Sequence, residues 1–140
     1  MKKISVLIVI TLLFYSCKKD PQTSLKHLNG YWEIESATTP KGKIHEYSIS
    51  TTVDYISIND SLKGFRKKLN PTFTGSYNTS EDAEMITAKI ENDSLNLYYR
   101  TPFSTWKETV IVANKEQLKV VNADNMTYIY KRFTPINVLE

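Results

Sequence analysis

The sequence predicts an all-β domain. Short runs rich in Val, Ile, Thr, Tyr and Trp alternate in polarity from residue to residue. Polar turn residues separate these runs at intervals of about 8–12 residues, the spacing of sandwiches and barrels. No segment holds a sustained helical period. Links this short join strands only as antiparallel hairpins. Eight to ten strands can be counted in an up-and-down meander, and closing it into a small barrel removes its exposed edges.

The elements follow in order. A short turn or helix around Ser24 to Leu28 leads into the first strand, where Trp32, Ile34 and Ser36 alternate with Glu33 and Glu35. Val53 to Ile58 is a second β run. Gly64-Phe65-Arg66-Lys67-Lys68 is a basic hairpin arm, read either as a solvated face or as a contact for lipid phosphates. Phe73, Gly75 and Tyr77 share a face of another strand. Ile86, Ala88 and Ile90 turn through Glu91-Asn92-Asp93-Ser94 into Leu95, Leu97 and Tyr99. Trp106, Val110 and Val112, then Leu118 and Val120, then Tyr128, Tyr130 and Arg132 complete the series. The barrel is placed at residues 27–134, with a tail at 135–140.

The N-terminus has a different character. Lys2 and Lys3 precede an apolar run of twelve residues, Ile4 to Tyr15, and Ser16 leads to Cys17, the single cysteine. Twelve residues are too few to span a bilayer, which takes about 20. The arrangement resembles the signal sequence and lipobox of bacterial lipoproteins. It implies a signal peptide over 1–16, removed on export, and acylation of Cys17. Phe14 and Tyr15 depart from the commoner lipobox residues. Two or more acyl chains anchor stably, each buried methylene contributing about 0.8 kcal/mol. The polar stretch of 17–26, with Lys18, Lys19 and Pro21, then reads as a tether. Losing Lys2 and Lys3 lowers the formal charge of +3 to a nearly neutral body, which argues against a nucleic-acid partner. With one cysteine, no intramolecular disulfide forms.

Gly30-x-Trp32, entered from a short turn, resembles the opening motif of lipocalins and of bacterial lipocalin-like lipoproteins of the Bacteroidota. That resemblance implies that Trp32 closes the base of the barrel and that Arg132, at the end of the last strand, packs across its ring. The middle lipocalin motif is not recognisable. Lys18 follows the cysteine where an aspartate would retain a lipoprotein in the inner membrane, so the resemblance implies the outer membrane; the face is left open.

Catalytic patterns are sparse. His27 and His45 are the two histidines, and nothing pairs either with a serine or a carboxylate. His45 and Glu46, as neighbours on a strand, point to opposite faces, so no metal site is assigned and no cofactor is implied. Glu33 and Glu35 read as solvated. The aromatics are more informative. Tyr77, Trp106, Tyr128 and Tyr130 are candidates to line a pocket, the alternative being that they simply fill the barrel. Thr101-Pro102-Phe103-Ser104 offers an aromatic at a turn. Asn-Asp-Ser-Leu occurs twice, at 59–62 and 92–95. It reads as turn chemistry, or, since Asp-Ser-Leu resembles a Bacteroidota O-glycosylation signal, as sugar attachment at Ser61 and Ser94. The expected function is non-catalytic binding of a small apolar or amphipathic molecule by a membrane-anchored barrel. The alternative is a filled barrel that docks another envelope component. Ligand, partner and oligomeric state are not legible.

Overall fold

The computed structural model describes residues 19–134, except 73 and 80. One short helix, α1 (Pro21–Leu25), precedes ten strands: β1 (Gly30–Thr38), β2 (Ile44–Glu46), β3 (Val53–Ile58), β4 (Lys63–Pro71), β5 (Tyr77–Thr79), β6 (Glu84–Glu91), β7 (Ser94–Arg100), β8 (Thr105–Ala113), β9 (Gln117–Asn122) and β10 (Thr127–Arg132). All pairings are antiparallel. Strands β1, β3, β4, β6, β7, β8, β9 and β10 form a closed barrel, sealed where β1 pairs with β10. Strands β2 and β5 are additions, paired only to the upper parts of β1 and β4.

Local sequence explains the joints. Asn92 and Asp93 both adopt positive φ, 49° and 60°, the two-residue turn whose twist suits a hairpin. The first copy of the same tetrapeptide turns differently. The Asn59 side chain accepts from the amides of Ser61 and Lys63, and Leu62 takes the positive φ. The shared sequence therefore builds two turn geometries, both at the same end of the barrel. A bulge in β1 between Ile34 and Ser36, and one in β8 between Val110 and Val112, reset the alternation. In β8 this puts Ala113, rather than Val112, in the core.

Two segments differ from expectation. The Gly75 amide donates to the Thr72 carbonyl and the Thr72 amide to the Ser76 carbonyl, a turn, so among the described residues of the expected Phe73–Tyr77 strand only Tyr77 is in a strand; Phe73 itself lies outside the described residues. Part of the expected tether is folded. Asp20 caps α1 by accepting from the Gln22 amide and the Thr23 hydroxyl, and Pro21 occupies the first turn. The helix packs against β7 and β8 and buries Ser24.

The core runs through the barrel. Leu28, Trp32 and Leu97 are fully buried, with Ile56, Ile86, Leu95, Leu118 and Val120 nearly so. Burying each such aliphatic chain contributes about 1.5–3 kcal/mol. One end is closed by α1, Leu28 and the β3–β4, β6–β7 and β8–β9 turns. The other end carries the β4–β5, β7–β8 and β9–β10 turns, and there the inward residues Trp106, Tyr128 and Lys68 keep exposed surface, which makes it the open end.

Candidate functional site: the barrel interior and its mouth

Trp32 and Arg132 form the floor. They are register partners across the β1–β10 seam, and the guanidinium lies 3.6 Å from the centre of the Trp32 rings. Trp32 Nε1 donates to the Leu28 carbonyl at 2.8 Å. Arg132 donates to four backbone carbonyls: His27 (2.8 Å), Asn29 (2.9 Å), Lys115 (3.2 Å) and Asn114 (3.2 Å). One side chain thus ties the entry segment, the last strand and the β8–β9 turn together. Gly30 makes room for it. Its φ is +125°, and a Cβ there would stand 2.6 Å from Arg132 Nη1. The Asn29 amide completes the join by exchanging two hydrogen bonds with the backbone of Ile58.

Above the apolar middle layer, the open half of the barrel holds charges. Arg66 is buried, and its Nε donates to Glu84 while Nη1 lies 3.6 Å from Glu108. Its guanidinium also lies 4.5 Å from the Tyr99 ring centre. Nearer the mouth, Lys68 Nζ bonds Asp54 at 3.0 Å, with Lys68 exposed and Asp54 buried. Trp106 stacks flat on Tyr99, 5.1 Å between ring centres. Tyr99 and Glu108 face each other in this layer, and each influences the other's titration. Burial raises the Glu108 carboxyl above its ordinary value, and Arg66 and Tyr99 offset only part of that rise. Burial likewise pushes the Tyr99 and Tyr130 hydroxyls up, so both remain protonated donors at neutral pH. Burial works against the Arg66 charge, and the Glu108 and Glu84 carboxylates beside it hold the guanidinium charged.

The aromatic candidates separate. Trp106, Tyr128 and Tyr130 alternate inward: Tyr130 is buried, while Trp106 and Tyr128 are half-buried beside the mouth. Tyr77 is not with them. It stacks on Tyr31, 5.3 Å away and nearly parallel. Tyr31 points away from the interior because its neighbour Trp32 points in, so Tyr77 belongs to an outer cluster with Tyr31, Tyr55 and Phe65. The basic arm also differs from expectation. Strand alternation sends Arg66 and Lys68 inward and Lys67 outward over Phe65, so it is not a uniformly solvated face. Ser61 is exposed and Ser94 half-exposed, both at the closed end. His45 and Glu46 are exposed on β2, where His45 packs edge-on to Tyr47. Among the described residues, no group of three or more His, Cys, Asp or Glu is placed to hold a metal. Cys17 lies outside the described residues.

Glu84, Glu108 and Asp54 are the residues that sequence reasoning missed, and Arg66 was read only as part of the basic arm. The available signal is position. Asp54 is two residues before Ile56, Glu84 two before Ile86 and Glu108 two before Val110. On a strand that spacing puts each carboxylate on the same face as a core residue.

The geometry defines a class: a small closed antiparallel barrel with a sealed base and, at the other end, a mouth lined by polar and aromatic side chains. Residues 28–120 match the model of the lipocalin-like domain, and the chain belongs to that family. The matched segment ends before β10, so Arg132 lies beyond it. Searches of curated proteins and of solved structures return no match.

Proposed function

We propose that this chain is a cell-envelope lipoprotein, anchored through acylated Cys17, whose barrel binds a small amphipathic molecule at its open end without transforming it. The observation that carries the binding reading is the layering of the interior. Half-exposed Trp106 and Tyr128 present apolar surface at the mouth, and buried Arg66 and Glu108, with half-buried Glu84, lie just within reach below. An apolar body packs on the rings while a polar end exchanges hydrogen bonds with the charged cluster, the division of labour typical of ligand pockets. The apolar run and Ser16 before Cys17 support the anchor, and Lys18 supports the outer membrane.

A second reading rests on a separate feature. Ile44, Tyr47 and Ile49 are 61%, 39% and 85% exposed around β2, an apolar patch suited to docking another envelope component.

Tryptophan emission tests the binding reading. The chain has two tryptophans; Trp32 is sealed in the floor and Trp106 faces the mouth. Titrating the protein with a lipid extract of its host should change the emission saturably in wild type and not in Trp106→Phe. A flat titration, or equal changes in both proteins, would contradict a ligand at the mouth.

A further inference from the structure

The outer face of β4, β6, β7 and β8 is basic to a degree the whole chain is not. Alternation places Lys63, Lys67, Lys89, Arg100 and Lys107 on it. Among the described residues of these strands, one carboxylate shares the face, Glu91, which accepts from the Tyr98 hydroxyl at 2.6 Å and the Asn96 amide at 2.9 Å. Five cations and one carboxylate leave an excess of four, larger than the +3 of the entire chain. The face is also grooved. Lys63, Met85, Thr87, Tyr98, Arg100 and Lys107 line a depression of about 650 Å³. Met85 and, further along β8, Ile111 stand 51% and 46% exposed there.

Register sets the spacing of the charges. Lys63, Thr87, Tyr98 and Lys107 are paired in one row across the four strands. The two lysines are therefore three strand spacings apart, about 14 Å, and Lys89 and Arg100 stand about 7 Å to either side of that row. No single phosphate or carboxylate spans such a lattice, whereas neighbouring lipid headgroups do. Met85 and Ile111 among the cations supply short apolar contacts at the headgroup boundary, the mixture found on membrane-surface elements. Glu81 and Asp82 border the face at the open end, so the attraction is strongest away from the mouth.

We infer that this outer sheet face docks on an acidic lipid surface, holding the barrel against the membrane with its mouth free. The inference is independent of any luminal ligand. Amine acetylation of the full-length protein tests it, with vesicles of phosphatidylcholine alone or mixed equally with phosphatidylglycerol. Each basic residue near such a surface strengthens binding about fivefold. Labelling of Lys63, Lys89 and Lys107 should fall about threefold or more on acidic vesicles relative to Lys119 and Lys131, and recover in high salt as the charges are screened. Neutral vesicles should give no selective protection, and Lys63→Gln/Lys107→Gln should abolish that of Lys89. Equal labelling of all five lysines on acidic vesicles would overturn the inference. So would the same protection by inorganic phosphate without vesicles, which would instead mark a discrete anion pocket.

Discussion

Arg132 shows how one side chain fixes one end of a barrel. It covers Trp32 and donates to carbonyls from the entry segment and the β8–β9 turn. Arg132→Ala removes a charged donor set and a cation–π contact together, and should lower unfolding free energy by about 3 kcal/mol in urea denaturation. Arg132→Lys keeps the charge but not the planar fork, so it should recover only part of that loss. Gly30→Ala attacks the same joint from the other side. A left-handed φ and a collision with Arg132 should cost about 1–3 kcal/mol by the same assay. Glu108 predicts a pH effect. Its carboxyl is raised in the folded state by burial, so its contribution to stability is fully present below the ordinary carboxylate value of 4.5 and is lost as pH rises through the folded value. Glu108→Gln carries no such titration. The stability of the variant relative to wild type should therefore climb with pH across that interval; an unchanging or falling difference would contradict the burial argument.

The β3–β4 hairpin shows what elements add to residues. Gly64 sits where a Cβ would run into the Ser57 carbonyl of the paired strand. Gly64→Ala should force the hairpin apart and cost about 3 kcal/mol, seen as a lower thermal midpoint. Strand positions were legible over most of the chain: Val53–Ile58 has the bounds read from sequence, and the series from Ile86 to Arg132 falls on β6 to β10. Side-chain destinations were less legible. Arg66 lies within a run of bases that looks solvated, and only the carboxylates on β3, β6 and β8 show why it turns inward; those partners are 12, 18 and 42 residues away. Tyr77 departs from its expected place because a turn closed between Thr72 and Ser76 precedes it, and its ring stacks on Tyr31 on the outside of β1. Bulges at Ile34–Ser36 and Val110–Val112 are likewise invisible to a period of two, since each consists of breaking it.

At the scale of the molecule, the barrel divides along its axis. Floor and middle are filled by Trp32, Leu28, Ile56, Leu97 and Val120, while the upper layer combines ion pairs with aromatic faces. The sequence foretold the closed all-β architecture and the Gly-x-Trp entry because both depend on local patterns. It left open whether the interior was wholly filled, because that depends on where charges from four strands meet. On the proposed reading, a base sealed by Arg132 and a mouth lined by Trp106 and Tyr128 leave one end of the barrel for a ligand. Native mass spectrometry of the full chain purified from its host, followed by solvent extraction, tests that claim most directly. The account predicts a bound small amphipathic molecule in wild type, beyond any mass due to covalent acylation, and its depletion in Trp106→Ala. Recovery of protein carrying nothing but covalent modifications, or equal loading of the variant, would contradict it.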